Sequence, residues 1–215
     1  MKRVLIIAEA GVNHNGSLQR AKEMIVAAKE AGADFIKFQT SIPEKTISRF
    51  AQKANYQKVN TGTTESQLEM LRKLVLPVED FKILRDYCNE IGIRFMSTPF
   101  CIDAVDILAA LDVEYMKVPS GEITNLPYLR KIARTGIPVI MSSGMCKLGE
   151  VEDALAVLTE NGLSKDQIIL LHCNTEYPTP MQDVNLRSML TLRDSFGVHV
   201  GYSDHTQGIE VPIAA

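Results

Sequence analysis

Apolar residues fall along this chain in short runs of four or five, and between the runs they recur at helical spacing. Seven runs read as strands: Val4–Ala8, Phe35–Phe38, Ile93–Ser97, Tyr115–Val118, Val139–Ser142, Ile168–His172 and Val198–Tyr202. The segment Leu18–Ala31 has the period of a helix and meets a stop signal at Gly32, and the same period predicts helices over Val78–Ile91, Cys101–Leu111, Leu126–Arg134, Gly149–Asn161 and Leu186–Phe196. Strands that are apolar on both faces and alternate with helices pair in parallel through right-handed crossovers. Either a (β/α) barrel or an open doubly wound sheet would satisfy that rule. The first run is not followed by GxGxxG, and the glycines between Gly11 and Gly16 have the wrong spacing for a dinucleotide turn. The expected fold is therefore α/β, a TIM-type (β/α) barrel, incomplete, with about seven of its eight strands present. One segment, Ser41–Leu76, breaks the rhythm: it is polar, rich in Thr, Gln and Lys, and longer than an ordinary connection. At a catalytic rim such a loop commonly closes over substrate.

Composition narrows the partners more than the fold. With 215 residues, 46% apolar and 23% charged, the chain can bury a substantial core and reads as one catalytic domain over residues 1–215. A formal charge of −3 and the absence of Trp argue against nucleic acid. The apolar run Val4–Ala8 is too short for a signal peptide or a membrane span, which implies no membrane association and a cytoplasmic location. Cys88, Cys101, Cys146 and Cys173 lack metal-ligand spacing and read as reduced, structural thiols.

Polar chemistry gathers just after nearly every strand. The first leads to Glu9 and Asn13-His14-Asn15, and the second carries Lys37, Gln39 and Thr40. Next come Ser97 and Thr98, then Lys117, Ser120 and Glu122, then Ser142 and Ser143. The sixth gives His172, Asn174 and Thr175, and the seventh Ser203, Asp204 and His205. A barrel gathers strand ends on its C-terminal face. Any single Ser, Thr, Asn or Asp there is more often a cap or turn residue than a catalyst, so the weight lies in the repetition. Lys37 and Lys117 interrupt apolar strands, where an ammonium needs a fixed anion, and a bound ligand is favoured over a structural ion pair. Two lysines with convergent hydroxyls suit a substrate bearing both phosphate and carboxylate. Glu9 and Glu122 are candidates for general acid or base, or for holding a metal-bound water, with a structural role for Glu9 also open. His205 is open between metal ligand, general base and turn residue. Ser203-Asp204-His205 is not read as a hydrolase triad, since adjacent residues seldom form that relay and no GxSxG is present.

Seven stretches in order, IAEAGVNHNG (Ile7–Gly16), KFQT (Lys37–Thr40), STPF (Ser97–Phe100), KVPSGE (Lys117–Glu122), SSGM (Ser142–Met145), LHCNTEYPTP (Leu171–Pro180) and GYSDHT (Gly201–Thr206), resemble the bacterial sialic acid synthase family. Ala54–Gln57, Asn60–Gly62 and Glu65–Met70 in the long polar segment resemble it too. The resemblance implies condensation of phosphoenolpyruvate with N-acetylmannosamine to N-acetylneuraminate, with C–O cleavage releasing phosphate and a divalent ion, Mn²⁺ or Mg²⁺, polarising the open-chain aldehyde. Carried over position by position, it assigns phosphoenolpyruvate to Lys37, Thr98, Lys117, Ser120, Ser142 and Ser203. Asn174 or Thr175 joins them, two residues whose order differs among relatives. It gives the sugar to Gln39 and Tyr177, acid/base work to Glu122, an ordering role to Glu9 and one metal-ligand position to His205. The Pro119–Tyr128 stretch also resembles legionaminic acid synthases, so legionaminic or pseudaminic acid synthesis from another amino sugar is an alternative, as is a fragment that binds ligand without turnover. The family pattern continues past Ala215 into an eighth strand bearing a second histidine ligand and into a C-terminal antifreeze-like domain, and it implies a homodimeric parent protein. With seven strands, the sheet is expected to keep an open edge and an exposed apolar flank.

Overall fold

The computed structural model describes residues 4–53 and 65–215. The chain divides into two compact units, Met1–Val113 and Glu114–Ala215, and within each the paired strands run parallel in sequence order.

The first unit runs β1 (Ile7–Gly11), α1 (Leu18–Glu30), β2 (Phe35–Thr40), a short α2 (Pro43–Thr46), α3 (Gln67–Leu74), α4 (Asp80–Ile91), β3 (Arg94–Pro99) and α5 (Ile102–Ala110). Ser17 starts α1 by accepting from the Arg20 N–H at 3.2 Å, and α4 stops at Gly92, whose φ of 79° is one that only glycine adopts without strain. Lys37 pairs in register with Met96 and Gln39 with Thr98, so these four share one face of the sheet. Ile36, Phe38 and Thr40 lie on the other face with Phe95 and Ser97, where the Phe38 and Phe95 rings stack at 5.9 Å. Phe35, Ile36, Phe38, Ile25, Phe81 and Leu84 are fully buried, each stabilising the unit by roughly 1.5–3 kcal/mol relative to exposure.

The second unit runs β4 (Met116–Val118), a 3₁₀ turn at Ser120–Glu122, α6 (Leu126–Ala133), β5 (Val139–Ser142), α7 (Leu148–Glu160), β6 (Ile168–Cys173), α8 (Ser188–Phe196), β7 (His199–Ser203) and α9 (Glu210–Ala214). The register Lys117↔Ile140, Ser142↔Leu171 and Cys173↔Ser203 sets Lys117, Ser142, Cys173 and Ser203 on one face, at the C-terminal ends of their strands.

Two sequence expectations are corrected. The first strand begins at Ile7 rather than Val4, because pairing with β2 starts at Phe35 and leaves Val4 74% and Ile6 55% exposed. An apolar run shows what is able to pair, whereas the partner decides where pairing begins. The long polar segment also holds helices: Ser66 and Glu69 form a reciprocal capping box at the start of α3. Ala54–Gln57 and Asn60–Gly62 lie outside the described residues. Val4 and Ile6, ahead of β1, are exposed, and no residue of β7 is buried, whereas all four of β5 are.

Candidate functional site

In the first unit, the face shared by Lys37, Gln39 and Thr98 also carries Glu9, which is in register with Lys37. The two form an ion pair, with the Lys37 side chain 16% exposed and that of Glu9 47%. The ammonium in this apolar strand thus has a protein carboxylate as a partner, where the sequence favoured a bound ligand. Gly11 interrupts the β1 register with φ 54°, and a Cβ there would stand 3.2 Å from a Glu9 carboxylate oxygen, so a side chain would crowd the pair. Thr98 is buried beside this face, while its neighbour Ser97 points the other way and shares a 2.8 Å hydrogen bond with the Thr40 hydroxyl in the core.

His14, in the turn after β1, is fully buried. Its Nδ1 accepts from the Gly16 N–H at 3.2 Å, which puts the ring proton on Nε2, and that Nε2–H has no hydrogen-bond partner among the described residues. Burial holds its pKa below the usual histidine range.

The second unit carries the denser array. Lys117 Nζ donates to the Ser142 hydroxyl at 2.6 Å and to the Val118 carbonyl at 2.7 Å, both residues being buried. Ser120 Oγ accepts from the Gly144 N–H at 2.9 Å and lies 3.9 Å from Cys173 Sγ. Gly144 is required by this crowding, because a Cβ would fall 2.8 Å from the Thr175 methyl and 2.9 Å from Ser120 Oγ. Asn174 supplies a backbone carbonyl to His205 Nδ1 at 2.5 Å, and its side-chain oxygen accepts from the Glu176 N–H at 2.7 Å. The Tyr177 hydroxyl lies 3.0 Å from His205 Nε2, with the two rings 4.1 Å apart. Glu122 is half-buried in its 3₁₀ turn, where its carboxylate accepts from the Asn125 side chain at 2.6 Å.

Cys173 is a site residue that the sequence reading set aside as structural. It sits among Ser120, Ser203 and His205, and burial alone would raise its thiol pKa. The His205 hydrogen bond and charge, with Ser120 and Ser203, outweigh burial and bring it below the ordinary value. His205 shifts reciprocally upward: burial lowers it, and the bonds to Cys173 and the Asn174 carbonyl, with the Cys173 and Asp204 charges, more than offset that. The clue to Cys173 in the sequence is its position, one residue after His172, since period-two alternation puts only one of the two on the Ser142 face. His172 takes the opposite face, against the Val184 carbonyl and the Tyr202 ring. Asp204 serves its own turn, accepting from the Thr206 N–H and hydroxyl.

As a ligand for a divalent cation, His205 has the chemistry required. Its Nδ1 proton is committed to a carbonyl, which fixes the tautomer and leaves Nε2 as the donor atom, the usual arrangement behind a metal-bound histidine. Among the described residues no group of three His, Cys, Asp or Glu side chains is placed to hold a metal, so beyond His205 the described residues supply no ligand set for one.

Comparison with known proteins places this geometry. The model of the NeuB family matches residues 24–215. An N,N'-diacetyllegionaminic acid synthase of Campylobacter jejuni is 52% identical over 215 residues, covering 100% of this chain and 64% of that protein. A protein of the same name from Legionella pneumophila is 51% identical over 213 residues, covering 98% and 60%. The crystal structure of an N-acetylneuraminic acid (sialic acid) synthetase from Leptospira borgpetersenii, in complex with citrate, matches with a TM-score of 0.85 at 34% identity, over 99% of this chain and 69% of that one. The chain thus spans about three-fifths of the length of these two curated relatives. Its seven strands and their helices have the α/β, incomplete TIM-type fold expected from the sequence. No helix among the described residues is long and apolar enough to cross a membrane. Named relatives are sugar acid synthases, and with the family model matching nearly nine-tenths of its length, the chain belongs to the NeuB family.

Proposed function

We propose that the protein is the catalytic part of a phosphoenolpyruvate-dependent nonulosonic acid synthase, and that its product is of the N,N'-diacetyllegionaminic type. The observation that carries the reaction class is Lys117, a buried ammonium held at a strand end beside Ser142. A sheltered cation with converging hydroxyls binds a phosphate or carboxylate far better than the same groups in water. The product assignment departs from the N-acetylneuraminate expected from the sequence motifs. It rests on the two legionaminic acid synthases at 52% and 51% identity, against 34% for the sialic acid synthetase. The acceptor would then be a six-carbon sugar with two acetamido groups, in place of N-acetylmannosamine.

In this reading Lys117, Ser120, Ser142 and Ser203 bind phosphoenolpyruvate, with Asn174 or Thr175 beside them. Lys37, Thr98 and Gln39 keep the roles that the family resemblance gives them, and Glu9 orders Lys37 through their ion pair. Glu122 delivers a proton to the aldehyde oxygen as the enol carbon bonds to the aldehyde carbon. Water then adds at C2, and phosphate leaves with the bridging oxygen. A divalent cation, Mn²⁺ or Mg²⁺, held in part by His205, would supply Lewis-acid polarisation of that aldehyde.

The test is product analysis by mass spectrometry: the full-length synthase with phosphoenolpyruvate, Mn²⁺ and either the diacetamido sugar or N-acetylmannosamine. Turnover of the diacetamido sugar at a higher kcat/KM is the expected result. Preference for N-acetylmannosamine returns the assignment to sialic acid, and turnover of neither removes the synthase reading.

A further inference from the structure

Glu122 closes the 3₁₀ turn that follows β4, and Asn125 is the residue that caps the start of α6. The two are tied at main chain and side chain alike. The Asn125 N–H donates to the Glu122 carbonyl at 3.0 Å, and Asn125 Nδ2 donates to Glu122 Oε2 at 2.6 Å. The helix cap settles which end of the amide faces the carboxylate. Asn125 Oδ1 accepts from the Tyr128 N–H at 3.3 Å, a donor that has no partner inside the helix, so the NH₂ end is the one turned to Glu122. Tyr128 is 1% exposed, so this run of bonds is anchored in the core although Asn125 itself is exposed and Glu122 only half-buried. Without such a tie, a half-buried glutamate samples several rotamers, and ordering it at the moment of reaction carries an entropic cost.

The geometry points to Asn125 as a positioning residue: its amide holds Glu122 in one rotamer and, by occupying Oε2, assigns the transferable proton to Oε1. This rests on the proposed acid role of Glu122 and adds the residue through which that role is set. A proton on Oε2 would face the amide N–H, donor against donor, so the protonated acid carries it on Oε1. As the Oε1–H bond breaks and the aldehyde oxygen takes the proton, negative charge develops on the carboxylate, and the Asn125 bond becomes charge-assisted. The contact is therefore stronger in the transition state than before it, and its loss falls on kcat.

Two substitutions separate positioning from capping. Asn125→Ser keeps a cap oxygen for the Tyr128 N–H but removes the amide that reaches Glu122, whereas Asn125→Ala removes both. The readouts are thermal unfolding and steady-state kinetics of the full-length synthase with phosphoenolpyruvate, Mn²⁺ and the diacetamido sugar. Asn125→Ser should unfold at the wild-type temperature and lose about ten- to a hundredfold in kcat, the range for one hydrogen bond to a charged group, with both KM values unchanged. Asn125→Ala should lose as much in kcat and also unfold at a lower temperature. In a Glu122→Gln background, Asn125→Ser should cost no further kcat, because the group it acts through is gone. Wild-type kcat in Asn125→Ser overturns the inference and leaves Glu122 as the acid. The same loss repeated in the Glu122→Gln background also overturns it, since Asn125 then acts elsewhere. Wild-type kcat in Glu122→Gln removes the acid role and the inference with it, while the synthase reading stands. Turnover of neither sugar by the unaltered synthase overturns that reading and the inference together.

Discussion

Each unit sets a lysine on an apolar strand, and the two lysines are accommodated differently. Lys37 of the first unit meets the Glu9 carboxylate, which is itself 47% exposed. Lys117 of the second is more deeply buried, and its ammonium donates to the Ser142 hydroxyl and the Val118 carbonyl. A ligand anion at Lys37 has to share it with a fixed carboxylate and compete with water, whereas at Lys117 it meets a less solvated cation. The difference teaches that a lysine in a strand pattern signals a charge to be stabilised, and only the neighbouring strand decides how much of that charge a ligand can use.

The strongest way to break this contrast is to neutralise each lysine at constant length. Lys117→Met should weaken phosphoenolpyruvate binding, measured by isothermal titration calorimetry with Mn²⁺ present, by roughly a hundredfold, corresponding to about 3 kcal/mol for a charged hydrogen-bonded contact. Lys37→Met should cost about tenfold, because Glu9 already takes part of that charge. Equal losses at the two positions would show that the ion pair leaves Lys37 as available as Lys117.

A smaller effect sharpens the picture of the second unit. Gly144→Ala would put a methyl 2.8 Å from Thr175 and 2.9 Å from the Ser120 hydroxyl, and both residues would have to move. A fall of about tenfold in phosphoenolpyruvate affinity is expected, near the cost of misplacing one hydrogen-bonded group. Gly121→Ala has nothing among the described residues within 4 Å of the new Cβ and should leave affinity unchanged. If the two variants bind alike, the crowding at Gly144 has no part in the site.

Much of this was legible before any coordinates. Parallel α/β architecture followed from apolar runs and helical spacing, because burial on both faces leaves few other solutions. The strand-end residues were legible as a set, since each lies next to its run in the chain. What the sequence did not carry was pairing. That Lys37 belongs to Glu9 depends on the β1–β2 register, and that Ser97 belongs to Thr40 depends on the β2–β3 register, neither visible in one strand alone. Cys173 was passed over for the same reason: its apolar character suits a core, and only alignment with Ser203 shows its face. The α3 capping box, Ser66 with Glu69, was legible in the sequence and was obscured by the polar composition around it.

In the first unit the Thr40–Ser97 hydroxyl pair lies in the core, on the face away from Lys37 and Thr98. Thr40→Val leaves the Ser97 hydroxyl buried without this partner and should lower stability in urea by about 1–2 kcal/mol. Phosphoenolpyruvate affinity should not change. A loss of affinity comparable to that of Gly144→Ala would place this pair in the site and erase the division between the two faces of β2.

His14 offers the smallest effect and a test by sign. Its pKa in the folded chain lies below the usual value near 6.5, because burial disfavours the cation. The unfolded chain therefore takes up the proton first as pH falls, and the stability associated with neutral His14 is present above about pH 6.5 and lost below it. Asn at this position can accept from the Gly16 N–H through its own side-chain oxygen, as His14 does at 3.2 Å, and does not titrate. Thermal unfolding from pH 8 to 5.5 should then show His14→Asn below wild type at pH 8, from the volume lost at a fully buried position, with the gap narrowing as pH falls. A gap constant across that range would mean that His14 takes up its proton as readily in the folded chain as in the unfolded one, which a fully buried imidazole should not do.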